Sequence, residues 1–267
     1  EEAPAKGNGQ DQELREGVQI RAARWSLDDR DPNATLERLA ALPQGAARRT
    51  LALRIRLKAT RQARQTREAL DTARLLGKHR AFSAGAAQSI VRGLAIELIQ
   101  SAHDPAQLVQ IWASLENSER NMPELAVQAA QRLAHLGGDP AQVRAWLLPV
   151  WERMVELPDG LPEGLALKLI HCLEDGLSTI DAGWLARIEA AQQANPRDAR
   201  LQYLAGMACL KRQLWGKAQQ LLTQAASQLT DKSLRASAWR NLAELAEQRG
   251  DSEAAAHAWK SAAQQQR

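Results

Sequence analysis

Apolar residues recur at helical spacing along almost the whole chain, with polar or turn-forming residues between the runs. Leu14, Val18, Ala22 and Trp25 keep that spacing, and the run ends before Asp31-Pro32. A short helix opens at Asn33 or Ala34, carries Leu36 and Leu39, and stops at Pro43. Residues 46–62 and 63–78 then pair as a hairpin. Within its first helix Leu51/Ile55 and Leu53/Leu57 lie on nearly opposite sides, the pattern of a helix sandwiched between neighbours. After Phe82, the run Ile90, Val91, Leu94, Leu98 and Ile99 marks another helix. Asp104-Pro105 and Asp139-Pro140 each set a capping acceptor before a proline at the first helical position. Pro123 opens a helix through Leu125, Val127 and Leu133 that ends at Gly137-Gly138. Pro149 falls among Val143, Trp146, Leu147, Val150 and Trp151, where it is expected to kink or divide the helix. Further helices follow near 162–174 and 180–194. Val, Ile and Thr are too scattered to alternate as a strand requires, so the expectation is an all-α chain.

Two stretches near the C-terminus, 199–226 and 236–263, repeat one helical hairpin. In the first, Gly206 takes a small position where the next helix crosses closely. Trp215, Ala218, Leu222 and Ala225 follow on the second helix. In the other, Trp239 and Leu242 open the first helix, Gly250 makes the turn, and Ala255, Trp259 and Ala262 line the second. These positions resemble the tetratricopeptide (TPR) pattern. One such unit cannot bury its apolar face alone, so neighbours stack. The expected fold is an α-solenoid of stacked TPR-like antiparallel helix pairs. Residues 1–12 read as a disordered or added polar segment, 13–102 as an N-terminal array with a basic hairpin, and 103–267 as a C-terminal array. The change of packing is expected near 102–105.

Composition fits a folded helical chain. Of 267 residues 45% are hydrophobic and 25% charged, and 8 Trp stand against one Phe and one Tyr. Cys172 and Cys209 sit inside apolar helical patterns and read as two buried thiols. No apolar run approaches the ~20 residues that span a bilayer. No signal peptide is visible. The start at Glu1, without Met, reads as the cut end of a longer protein with room for a membrane anchor upstream.

Charge is most uneven between residues 48 and 80, where Arg48, Arg49, Arg54, Arg56, Lys58, Arg61, Arg64, Arg67, Arg74, Lys78 and Arg80 face only Glu68 and Asp71. Arg54, Lys58 and Arg61 share one helical face. Such a face holds anionic headgroups, carboxylate ligands or acidic partners, or is simply a solvated flank. No aromatic residue interleaves the run before Phe82, so a base-stacking platform is missing and nucleic acid is not an expected partner. The chain carries no Gly-rich phosphate loop, nucleophile elbow or His-Glu-x-x-His motif. Its five histidines (His79, His103, His135, His171 and His257) are scattered singly. His171 and Cys172 point about 100° apart on a helix and cannot both face one ion. Neither a catalytic centre nor a metal site is expected.

The run from Leu210 through Trp215, Gly216, Lys217 and Ala218 to Leu222 resembles the terminal TPR of the HemY family, bacterial inner-membrane proteins associated with haem biosynthesis. Trp112-x-x-Leu115 and Arg120-x-x-Pro123-Glu124, followed by a helix ending at Leu136-Gly137, are similar to another segment of that family. Ala40, Ala41, Leu42 and Pro43 with the basic hairpin after them resemble its N-terminal half. The resemblance covers about residues 13–263. It implies a soluble TPR region behind two transmembrane helices, on the cytoplasmic side of the inner membrane. It also implies a scaffold or regulator of late porphyrin-pathway enzymes. Neither cysteine is followed by proline and no Cys-x-x-Cys-His occurs, so familiar haem-ligating motifs lend no support to direct haem binding.

The resulting expectation is a non-enzymatic scaffold that contacts protein partners along a concave face. Gln202, Tyr203, Arg240 and Asn241 on the first helices of the repeats are candidate contacts, with Arg54, Lys58 and Arg61 facing acidic partners or lipid. Tyr203 reads equally well as a packed aromatic. The alternatives are a haem or porphyrin carrier that pairs basic residues with propionates, and a general TPR adaptor unrelated to haem.

Overall fold

The computed structural model describes residues 7–47, 49–157 and 159–267. Among them the secondary structure is helical and no strand occurs. The chain divides into two compact units, Glu1–Leu125 and Ala126–Arg267. Sequence placed the change of packing earlier, near 102–105, at the Asp104-Pro105 cap. That cap does start a helix, but the helix packs within the first unit.

The first unit holds α1 (Gly7–Asp28), α2 (Pro32–Ala40), α3 (Gln44–Ala47), α4 (Thr50–Gln62), α5 (Thr66–Lys78), α6 (Ala84–Gln100), α7 (Pro105–Ser114) and α8 (Asn117–Arg120). Helix α4 packs against α1, α2 and α5, so it is sandwiched as its two apolar stripes require. Its Ala52, Leu53, Ile55, Leu57 and Ala59 are buried, while Leu51 remains exposed. Helix α1 begins inside the segment expected to be disordered; residues 1–6 of that segment, like Arg48 of the basic run, lie outside the described residues. The apolar set Leu14, Val18 and Trp25 also turns outward, and Ile20, Ala23 and Leu27 meet the core instead.

Helix α9 (Pro123–His135) carries the division between the units. The second unit continues with α10 (Pro140–Glu156), α11 (Glu163–Asp175), a 3-10 turn (Leu177–Thr179), α12 (Ala182–Ala194), α13 (Ala199–Lys211), α14 (Trp215–Gln228), α15 (Lys232–Gln248) and α16 (Ser252–Gln264). Pro149 does not divide α10, which runs through it unbroken. Asp104 and Asp139 cap as expected, their carboxylates accepting from the backbone N–H of Gln107 and Ala141.

One closing turn ends several helices. Arg30, Arg64, Arg80, Gly137, Gln213 and Gly250 all adopt positive φ, and the N–H of the next residue returns to a carbonyl five residues back. This satisfies orphan carbonyls and reverses the chain, as left-handed helix caps do.

Consecutive helices pack in chain order, α13 on α14, α14 on α15 and α15 on α16, giving a solenoid-like stack of helix pairs within the unit. The small residue at 206 is required. A Cβ there would stand 2.9 Å from Cγ and Cδ2 of Leu222. Ala218, Leu222, Ala225, Leu242, Ala255 and Ala262 are buried. Trp239 is half-buried, edge-on to His257 at 5.7 Å. Two positions depart: Trp215 is 47% and Trp259 38% exposed. Trp215 is the first residue of α14, before the helix is covered by its neighbours, and Trp259 borders the buried positions Ala255, Ala258 and Ala262.

Candidate functional site

The basic face of α4 is one wall of a groove in the first unit. At about 100° per residue, Leu51, Arg54, Lys58 and Arg61 fall within an arc of about 80°. All four are exposed. Beneath them opens a cavity of about 500 Å3 lined by Leu27, Leu51, Ile55, Leu57, Phe82 and Ile90. Arg24, Arg54, Lys58 and Arg61 stand around it, with Asp28 as the acidic member of the lining. The floor is therefore apolar and the rim cationic.

The four cations are not equivalent. Arg54 is held in place, donating from Nη2 to the carbonyl of Ala81 at 2.7 Å with its guanidinium 5.3 Å from the ring centre of Phe82. Among the described residues no carboxylate lies within ion-pairing distance of Arg24, Lys58 or Arg61. Their charge is offered to solvent, where an acidic group meets no competing internal partner.

The candidates on the C-terminal repeats divide. Tyr203 is fully buried; its hydroxyl donates to Glu174 Oε1 at 2.6 Å and accepts from Ser237 Oγ at 2.8 Å. Gln202 is buried too, with Nε2 donating to the Pro196 carbonyl at 2.6 Å. Neither forms part of an open contact face, so the packed-aromatic reading of Tyr203 is the correct one. The cause is local. Helix α13 is enclosed by α11, α12 and α14, and every residue from Leu201 to Cys209 is buried. Arg240 is exposed. Asn241 lines a small cavity of about 180 Å3 with Met207, Leu210 and Trp215, its Nδ2 donating to the Ser237 carbonyl at 2.8 Å.

Sequence reasoning missed a further cavity, of about 630 Å3, lined by His135, Arg144, His171, Cys172 and Thr179 among others. Arg144 is only 7% exposed and works as a bolt. Its Nη2 donates to the Thr179 carbonyl at 3.0 Å, and its Nε lies 3.7 Å from Asp181 Oδ2. This fixes the turn after α11 against α10. Nothing in the local pattern around 144 marks an arginine bound for the interior. Burial pushes the Cys172 thiol up to about 11, and burial also raises that of Cys209. Both thiols are free and stay protonated near neutrality, which makes them poor nucleophiles and poor metal ligands.

No described helix is long and apolar enough to cross a membrane. No protein-family model matches the chain, and no curated protein matches it.

Proposed function

We propose that this chain is a docking module, a helical-repeat adaptor that binds partner proteins without chemistry of its own. The observation that carries this reading is the groove beside α4, where an apolar floor lies under four exposed cations, three of which (Arg24, Lys58 and Arg61) have no carboxylate partner among the described residues. Support for a binding role also comes from the interior. Several buried polar groups are already engaged inside the protein: Arg74 with Glu119, Arg144 with the Thr179 carbonyl, and Tyr203 with Glu174.

The test is charge reversal at exposed positions. Arg54→Glu, Lys58→Glu and Arg61→Glu together are expected to leave helical circular dichroism unchanged and to abolish capture of partners by the full chain. An unchanged set of captured partners rejects the groove as the docking face.

The geometry favours a general adaptor. That the repeats are TPRs, that the partners are late haem-biosynthesis enzymes, and that an anchor holds the protein at the cytoplasmic side of the inner membrane are proposals supported by the sequence resemblance alone. A porphyrin carrier is the second reading, because the same groove sets cations beside an apolar floor, as propionates on a flat apolar ring require. A saturable Soret shift on haem titration, lost in the triple variant, supports it. No shift at micromolar haem rejects it.

A further inference from the structure

We propose that the groove beside α4 receives an amphipathic α-helix whose apolar stripe is bordered by acidic residues three and four positions apart. The inference rests on the docking reading and names the partner's chemistry.

Three features of the groove select this occupant. Its walls are mainly helices α1, α4 and α6, whose backbone hydrogen bonds are internal, joined by Phe82 from the α5–α6 connection, and the apolar side chains of the floor offer no partner to a peptide N–H or C=O. An extended segment entering it leaves buried backbone groups unpaired, whereas a helix arrives with its own already made. The cations are also spaced for a helix. Arg54, Lys58 and Arg61 stand at i, i+4 and i+7, covering about 10 Å along α4. A second helix packed alongside, at the usual separation of about 8–10 Å, carries acidic residues of the same spacing over the same length. Finally, Arg24 rises from α1 while the other three rise from α4, so cations border the floor from two helices. An apolar stripe with acids on both flanks matches that arrangement, and Asp28 disfavours an acid directly opposite it.

The groove is concave, with exposed Leu51 at its lip and half-buried Phe82 and Ile90 deeper in. A flat anionic membrane reaches the rim charges but not this floor. The apolar anchor therefore distinguishes a partner helix from a lipid surface, and the test includes both.

The experiment uses the full chain and a labelled peptide of about 20 residues with Leu on one heptad stripe and Glu flanking it. Fluorescence anisotropy is expected to give saturable binding that weakens with salt, as rim charges dictate. Lys58→Glu with Arg61→Glu is expected to weaken it about tenfold or more. A peptide carrying Lys in place of Glu restores binding to that variant. Leu51→Glu, a change at an exposed site, removes the anchor contact and is expected to abolish binding. A peptide of the same composition with a central Pro is expected to bind no better than a scrambled one. Equal binding by the scrambled or Pro peptide, or by the charge-reversed protein, overturns the proposal. So does full competition by vesicles of phosphatidylglycerol. If Lys58→Glu/Arg61→Glu loses the chain's captured partners yet the acidic peptide never binds, the helix occupant is wrong while docking at the groove stands.

Discussion

The hydroxyl of Tyr203 lies 2.6 Å from Glu174 and 2.8 Å from Ser237, so one buried group ties α11, α13 and α15 together. Asn241 extends the network, donating to the carbonyl of Ser237 at 2.8 Å. Replacing Tyr203 with Phe keeps the ring and removes only the oxygen. Glu174 then loses its donor and Ser237 its acceptor inside the second unit. The expected cost is about 1–3 kcal/mol, read as a lower urea midpoint with an unchanged m-value.

Glu174 makes stability depend on pH in an unusual direction. Burial raises its carboxyl above the ordinary range, and the Tyr203 hydrogen bond and His171 offset part of that rise. A raised carboxyl means the folded state holds the proton more tightly than the unfolded chain. Its contribution is therefore present below the ordinary carboxylate range and is lost as pH rises through the folded value. Asp175 adds to the rise and Lys211 opposes it. Glu174→Gln keeps an acceptor for Tyr203 and removes the titration. Denaturation midpoints of the variant, followed from pH 4 upward relative to the unaltered chain, are expected to lack this decline.

Gly206 and Leu222 offer a sign reversal. Gly206→Ala gains roughly 1 kcal/mol of helix propensity but drives a methyl into Leu222. A Cβ would stand 2.9 Å from two Leu222 atoms and 3.3 Å from Cβ of Leu221. The net expectation is a loss of about 1 kcal/mol. In a Leu222→Ala background, itself about 2–5 kcal/mol weaker, the same change becomes neutral or stabilising. The double-mutant cycle in urea measures this coupling, and additivity contradicts the close crossing.

Local signals explain what was legible. Asp104 and Asp139 announce their helices because capping needs only an acceptor and the adjacent proline, and Gly250 announces its turn through a positive φ. Spacing alone also places Arg54, Lys58 and Arg61 on one face. What spacing does not reveal is which stripe of a helix meets a neighbour. Helix α1 carries two, and the one with Leu14, Val18 and Trp25 turns out while Ile20, Ala23 and Leu27 turn in. The groove floor was hidden for a related reason, since Leu27, Phe82 and Ile90 come from separate parts of the chain. Gln202 and Tyr203 misled because a helix enclosed on every side has no open face to offer.

The tryptophans test that distinction directly. Trp215 is 47% exposed at the first residue of α14, whereas Trp184 is 5% exposed and packs edge-on against Trp151 at 6.0 Å. Trp184→Ala is expected to cost about 3–5 kcal/mol. Trp215→Ala is expected to cost less than about 1 kcal/mol, despite its place in the repeat pattern. Thermal melts of the two variants give the comparison, and similar losses contradict the exposure assigned to Trp215.

In the first unit the sharpest expectation concerns Arg74, which joins α5 to α8 through a two-pronged contact. Its Nε donates to Glu119 Oε2 at 2.8 Å and its Nη2 to Oε1 at 2.6 Å. Glu119 is only 2% exposed, and its Oε1 also accepts from the backbone N–H of Glu116 at 3.0 Å. Arg74→Leu leaves this carboxylate buried without its cation, at an expected cost of about 3–5 kcal/mol. Adding Glu119→Leu removes the stranded charge and is expected to recover much of that loss. Asp71 also touches Arg74 at 3.0 Å but is 64% exposed, so Asp71→Ala is expected to change stability by less than about 0.5 kcal/mol. Urea midpoints of the three variants rank the contacts; if Asp71→Ala proves as damaging as Arg74→Leu, burial of Glu119 is not what makes the pair matter.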